Sequence, residues 1–360
     1  MSNDDKLTSL RQQIDALDEK LQELISDRAR CAQEVARIKS ASGDSSYYRP
    51  EREADVLRQV LKRNHGPLSN EEVARLFREI MSACLALESP MKIAFLGPEG
   101  TFTQEAALKH FGHSIETVPL GAIDEVFREV ESGNTHFGVV PIENSTEGVI
   151  NHTLDMFMNS SLKICGEVEL RVHHHLMSKA VDIDAVKKIY SHQQSLAQCR
   201  EWLDANLPKV EREAVGSNAE AARIVAGKKN SAAIASDSAA QIYGLDVIVE
   251  NIEDHPDNTT RFLVIGTMEA LPGENDKTTL LISSNNKPGA LFDLLEPMSR
   301  HKINLTRIES RPSRQGLWEY VFFLDIDGHI QHDNVRQAVD ALGERTAFVK
   351  LLGSYPKAVL

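Results

Sequence analysis

The chain has 360 residues, too many for a single hydrophobic core, and its 41% hydrophobic and 26% charged residues are those of a soluble globular protein of two or three domains. A formal net charge of −13 argues against nucleic acid or an anionic membrane surface as partner, although a small anion can still be held where cations gather locally. Cys31, Cys84, Cys165 and Cys199 are scattered with no CxxC pair, Met1 to Lys6 is polar, and no apolar run reaches span length. These features predict a cytoplasmic protein with reduced thiols, no signal peptide and no membrane segment.

The first block reads as all-helical. Leu7, Ile14, Leu21 and Val35 recur every seven residues, with Arg28 in the missing place, and Leu10, Leu17, Leu24, Cys31 and Ile38 run beside them. One helix from about Asp4 to Lys39 is predicted, then a polar break at Ser40–Ser46. Pro50 suits the first position of a second helix with Val56, Leu57, Val60 and Leu61 as its apolar face, ended by Gly66-Pro67. Ser69 with Glu72 resembles a capping box for a third helix that carries Val73, Leu76, Phe77, Ile80, Met81, Cys84 and Leu87. A helix of this length cannot bury its stripe within a three-helix block, so pairing with a second copy is expected.

Cations interrupt the stripe. Lys39 follows Arg28 by eleven residues, three turns on and rotated by only about 20°. Burying an unpaired charge costs several kcal/mol per ion, so the two predict an anion pocket. Arg11 lies about 80–100° round the helix and more than two turns away, and only a partner chain could bring one into that pocket. Helical spacing from Val56, Leu57 and Val60 predicts that Arg52 and Glu53 face inward. Glu88, four after Cys84 and seven after Met81, falls on the apolar face of the third helix.

Past Ser89-Pro90, apolar runs alternate with helical stretches from Lys92–Leu96 to Phe262–Ile265, the pattern of an α/β domain with mostly parallel strands. Four loops sit at strand ends, the usual ligand crevice. They are Gly97-Pro98-Glu99-Gly100-Thr101-Phe102, Pro141-Ile142-Glu143-Asn144-Ser145, Ser191-His192-Gln193-Gln194 and Asn258-Thr259-Thr260-Arg261-Phe262. The first can offer backbone N–H groups to an anion but is not a dinucleotide fingerprint. His173-His174-His175 reads as a strand with one or two buried imidazoles rather than a chelate, because consecutive strand residues point to opposite faces. Leu271–Asp276 is a linker. The remaining segments, strand Thr279–Ser283, helix Gly289–His301, strands Asn304–Ser310 and Trp318–Ile326, helix Asp333–Leu342 and strand Thr346–Leu352, follow the βαββαβ order of the ferredoxin-like fold.

The first block resembles the helical chorismate mutases through Leu10-Arg11, Ile14, Leu17-Asp18, Leu21, Arg28, Lys39, Arg52-Glu53 and Leu76-Phe77. That resemblance implies that Arg28, Lys39, Arg52 and a partner's Arg11 hold the two carboxylates and ether oxygen of chorismate, with Glu53 on its hydroxyl. Cys84 stands where the family commonly has Ser, and Glu88 where it has Gln or Glu. A Claisen rearrangement needs only a held conformer and charge placed at the breaking C–O bond, which agrees with such a pocket. The four loop motifs resemble the signatures of prephenate dehydratase, which implies a bilobal, periplasmic-binding-protein-like α/β domain, Thr260 as the catalytic hydroxyl, and Asn144, Ser145, Gln194 and a carboxylate fork from Arg261 as binding groups. Lys287-Pro288-Gly289-Ala290-Leu291-Phe292 and Glu309-Ser310-Arg311-Pro312 resemble the phenylalanine-binding ACT domain, which implies effector contacts from Gly289 to Phe292 and from Glu309 to Pro312. Taken in order, the blocks (1–90, 91–270 and 277–356) resemble the bifunctional chorismate mutase–prephenate dehydratases. The likeness implies a homodimeric enzyme that takes chorismate through prephenate to phenylpyruvate under feedback by L-phenylalanine, with no cofactor and no metal. A mutase fused to a dehydrogenase would need a nicotinamide site, and a mere sensor protein would bind without turnover.

Overall fold

The computed structural model describes residues 3–42, 48–179, 182–283, 288–313 and 320–359. Most of the Ser40–Ser46 break, Lys287 and Trp318 lie outside the described residues. The helical block consists of α1 (Asn3–Ala41), α2 (Pro50–Arg63) and α3 (Asn70–Ala86). Pro50 opens α2, with Glu51 and Glu53 in its first turn and Lys62 and Arg63 in its last, each complementing the helix dipole. The Ser69 hydroxyl accepts the Glu72 N–H at 3.2 Å, while the Glu72 carboxylate pairs with Arg75 instead of returning to the cap. Leu57, Ala74 and Met81 pack α2 on α3, and Val359 from the chain's end joins them. In contrast α1, about 58 Å long at 1.5 Å per residue, buries no residue at all. Its predicted heptad residues are left in water, Leu24 at 65% and Ile38 at 62% exposed.

The middle block has two lobes. The first holds β1 (Lys92–Leu96), α4 (Phe102–Phe111), β2 (Glu116–Leu120), α5 (Ile123–Glu131), β3 (Phe137–Asn144), β4 (Gly148–Val149), α6 (Asn151–Asn159) and β5 (Lys163–Arg171). The chain then crosses into the second lobe, made of β6 (His175–Ser178), β7 (Lys188–His192), α7 (Gln193–Gln198), α8 (Arg200–Asn206), β8 (Glu211–Val215), α9 (Asn218–Ala226), β9 (Ser231–Ala235), α10 (Asp237–Tyr243) and β10 (Asp246–Val249). It returns through β11 (Thr259–Gly266), which inserts between β3 and β5. The sheets have the orders β2-β1-β3-β11-β5 and β10-β6-β9-β7-β8. The expectation of mostly parallel strands is corrected here. β1 runs parallel to β2 and β3, and β7 to β8 and β9, but β11 is antiparallel to both neighbours and β6 to β9 and β10. A strand that comes back from the other lobe enters the sheet from the opposite end, and local hydropathy carries no sign of that.

The last block is β12 (Asp276–Ser283), α11 (Ala290–Arg300), β13 (Leu305–Pro312), β14 (Tyr320–Asp327), α12 (Asp333–Gly343) and β15 (Phe348–Pro356), the predicted βαββαβ order, in a sheet β13-β14-β12-β15. Leu280, Ile282, Leu324 and Ile326 meet the two helices through Leu294, Met298, Val335 and Leu342. The opposite face carries Leu281, Val321, Phe323, Leu352 and Tyr355, which share one core with Ile142, Leu154, Phe157, Ile164 and Leu263 of the first lobe. Gly353 permits this approach, since a Cβ there would lie 2.2 Å from the Ile164 carbonyl oxygen.

Candidate active sites

Between the two lobes of the middle block lies a cleft of about 480 Å³, the size range of small-molecule sites. Thr260 and Asn144 are register partners on β11 and β3 at its floor. The Asn144 amide nitrogen donates to the Thr260 Oγ1 at 2.8 Å and to the Asn258 Oδ1 at 2.8 Å. Its own Oδ1 accepts the backbone N–H groups of Thr146 and Glu147, both at 3.0 Å, which fixes the amide's orientation. Thr260 therefore accepts a bond and keeps its proton free to donate into the cleft. The second lobe supplies Gln194, on the cleft wall, whose amide approaches Glu147 at 3.4 Å. Gln198, one turn beyond Gln194, accepts from Asn258 Nδ2 at 3.2 Å and from His174 Nε2 at 2.9 Å. Burial holds the His174 imidazole below its usual pKa, only partly offset by the Gln198 bond, so the ring is neutral at pH 7. The N-termini of α4 and α9, at Phe102 and Asn218, also face the cleft. Gly100, at φ +83° in the loop before α4, sits where a Cβ would come 3.1 Å from Ala239, so the loop can rest on the second lobe.

Two expected binding groups are elsewhere. Ser145 is exposed, and its hydroxyl accepts the Thr259 N–H at 3.0 Å, latching the start of β11. Arg261 is corrected outright, because strand alternation turns it to the face opposite Thr260. There it binds Glu167 at 2.8 Å, Asp325 at 2.6 Å and the Tyr355 hydroxyl at 3.1 Å. Lys277 closes on Glu167 at 2.7 Å. Burial raises the Asp325 carboxyl, but Arg261, Arg307 and the Thr279 hydroxyl outweigh it and hold the group below the ordinary carboxylate range. With Arg261 engaged, the described residues lining the cleft include no Arg or Lys. A bound carboxylate would meet backbone N–H groups and amides instead of a guanidinium fork.

In the helical block, Arg28 and Lys39 are half-buried on α1, and Arg11 is exposed far along it. Arg52 is exposed on α2, contrary to the expected inward face, because Glu51, Ala54, Leu57 and Val60 take the buried side. Glu53 is half-buried, and burial pushes its carboxyl up to about 7 against the opposing pull of Arg78 and Arg28. Glu88 is not on the face of α3 but two residues past its end, where its N–H bonds the Leu85 carbonyl. There burial raises its carboxyl and Lys39 lowers it, with burial prevailing. Cys84 is buried. Arg28 thus acts on Glu53 and Lys39 on Glu88, whereas Arg11 and Arg52 are exposed.

Three family models match the chain in order. They are chorismate mutase type II over residues 10–89, prephenate dehydratase over 93–270 and the ACT domain over 278–344. The chain is 59% identical over its whole length to the bifunctional chorismate mutase/prephenate dehydratase of Stutzerimonas stutzeri, and 58% identical to that of Pseudomonas aeruginosa, each covered completely. It belongs to the bifunctional chorismate mutase/prephenate dehydratase family. Among solved structures, a prephenate dehydratase from Arthrobacter aurescens in complex with L-Phe superposes with a TM-score of 0.69 at 34% identity, over 74% of this chain and 90% of that one.

In the ACT block of this family member, Gly289 takes φ +80° at the start of α11, a conformation that costs glycine nothing. Leu291 and Phe292 are exposed at 46% and 70%. Ser310 and Pro312 are exposed on β13, whereas Glu309 and Arg311 alternate to the face toward the dehydratase lobe, where Arg311 pairs with Asp155 at 2.8 Å. The four consecutive effector residues therefore do not share one surface. Gln198 and Glu147 in the cleft and Arg78 beside Glu53 are not singled out from the sequence, and His174, expected only as a buried imidazole, lines the cleft as well. Helical spacing from Gln194 pointed to Gln198. Arg78 gave no signal, since its role depends on how α2 and α3 pack.

Proposed function

We propose that the helical block rearranges chorismate to prephenate and that the cleft converts prephenate to phenylpyruvate, carbon dioxide and water. The observation that carries the second step is the 2.8 Å bond from Asn144 to Thr260 at the cleft floor. As the ring carboxylate leaves as CO2, its electron pair enters the ring and the C4 hydroxyl departs, taking a proton from Thr260 to leave as water. Asn144 supports the developing alkoxide, Gln194 and the neutral His174–Gln198 pair line the substrate, and the α4 and α9 N-termini receive its carboxylates. The proton is then restored to Thr260 from solvent.

For the first step, Arg28 and Lys39 hold the dianion and the ether oxygen, Arg52 and a partner's Arg11 complete the cage, and Glu53, Cys84 and Glu88 contact the remaining polar atoms. This reading needs a homodimer built on α1, and the exposed leucine face of that helix supports it. Domain boundaries near 90 and 270–277, a cytoplasmic location supported by four free cysteines, and L-phenylalanine bound at Gly289 to Phe292 and Ser310 complete the proposal. Incubating the purified chain with chorismate in the absence of NAD tests it. Prephenate should appear and then give way to phenylpyruvate. Accumulation of prephenate alone would refute the cleft assignment, and unchanged chorismate would refute the helical one.

A further inference from the structure

The two strands that carry the cleft's hydroxyl–amide pair each hold, one residue away, a charged group that reaches through the sheet to the ACT block. On β3, Glu143 precedes Asn144 and pairs with Arg307 of β13 at 3.0 Å. On β11, Arg261 follows Thr260 and pairs with Asp325 of β14 at 2.6 Å. Arg307 and Asp325 are themselves register partners in the ACT sheet. The set closes through Lys277 and Glu167, so three cations and three carboxylates lie in one layer between the sheets. Apart from Glu143, their side chains are at most 13% exposed. Arg307 Nη2 is buried without a hydrogen-bond partner, so the Glu143 pair is what anchors this guanidinium to the dehydratase lobe.

Adjacent strand residues lie about 3.8 Å apart and point to opposite faces. A shift of Glu143 or Arg261 is therefore delivered directly to Asn144 or Thr260. Both pairs act on the same hydrogen bond from its two ends, and a displacement of even 1 Å matters for proton delivery.

We propose that Glu143 with Arg307, and Arg261 with Asp325, are positioning pairs through which the ACT sheet sets the Asn144–Thr260 geometry of the dehydratase site. This rests on the reading of Thr260 as the hydroxyl that works in the cleft. The Glu143 pair is the one to test, since it is the more accessible of the two and its loss leaves the buried Arg261–Asp325–Glu167–Lys277 cluster neutral.

In the full-length enzyme, Glu143→Arg and Arg307→Glu are each expected to lower dehydratase kcat at least tenfold. Prephenate KM should change less than threefold and mutase turnover should be unaltered. Because Arg307 also faces Asp325, the coupling is read from neutral variants: the double variant Glu143→Gln with Arg307→Gln should lose no more kcat than the more affected single Gln variant, since the two remove one and the same pair. Glu143→Gln, which keeps size and hydrogen bonding, serves if the reversals fail to fold, with an expected three- to tenfold loss in kcat alone. Single variants that keep parental kcat, a loss carried by KM, or losses that multiply in the folded double Gln variant would each overturn the proposal. Thr260→Ala, measured alongside, separates the two ideas. If it retains kcat, the reading of the cleft fails. If it loses kcat while the Glu143 variants do not, only the positioning role fails.

Discussion

The apolar stripe of α1 gives a quantitative test of the mutase assignment. Leu7, Leu10, Ile14, Leu17, Leu21, Leu24, Val35 and Ile38 are between 48% and 65% exposed in one chain. Fully burying such a side chain yields about 1.5–3 kcal/mol, so covering the exposed half gives about 1 kcal/mol each, or about 16 kcal/mol for a pair of helices. Association costs about 4–15 kcal/mol, which leaves a modest but real margin. If a partner's Arg11 lies level with Arg28, the two-fold axis sets residue i opposite 39 − i, and the helices cross between residues 19 and 20. Leu17 and Leu21 flank that point, and Leu21 is about 10 Å from Arg28 at 1.5 Å per residue. The double substitution Leu17→Asp, Leu21→Asp removes about 4 kcal/mol of burial and adds four carboxylates at the crossing, enough to part the helices at micromolar concentration. Pairing is read with a spin label at position 19 in a Cys31→Ser background, where helices about 8–10 Å apart give a short distance between copies. The short distance should vanish in the double variant, and mutase turnover should fall at least a hundredfold while the dehydratase stays within threefold. Intact mutase turnover in a variant that has lost the short distance would refute the shared site.

Two further substitutions address the chemistry of single groups. Thr260→Ala should lower dehydratase kcat by at least a hundredfold with a smaller change in KM, measured by phenylpyruvate formation, whereas a rise in KM alone would make Thr260 a binding group. Glu88, whose carboxyl is held above its usual range by burial, donates a hydrogen bond only while protonated, so mutase activity should fall as pH rises through its pKa. Glu88→Gln donates at every pH and should flatten that limb; an unchanged pH–rate profile would exclude Glu88 as the donor.

Much of the fold was legible because periodicity reports one-sided burial. The 3.6-residue pattern set α1 to within two residues at either end, and the βαββαβ order of the last block survived intact. What periodicity cannot report is which neighbour covers a face. Arg52 and Glu53 differ by only about 100° around α2, and the packing of α2 on α3 and on the chain's end decided which of them is half-buried. Glu88 shows the same limit at a helix end, since the spacing rule that assigned it to a face fails once the helix has stopped at Ala86.

Arg261 makes the deeper point. In the Thr-Arg-Phe run, Thr260 and Arg261 are neighbours in sequence, and a guanidinium beside a reactive hydroxyl invites a substrate-binding role. Strand geometry forbids both from entering one cleft, yet it does not say which of them does. The partners decide. Asn144 and Asn258 wait on one face, and Glu167, Asp325 and Tyr355 on the other. A buried guanidinium needs carboxylates around it, and the cleft offers only Glu147 among its described lining residues. The arginine therefore belongs with the ACT sheet, and its one-residue offset from Thr260 brings that sheet within a single peptide unit of the Thr260 hydroxyl.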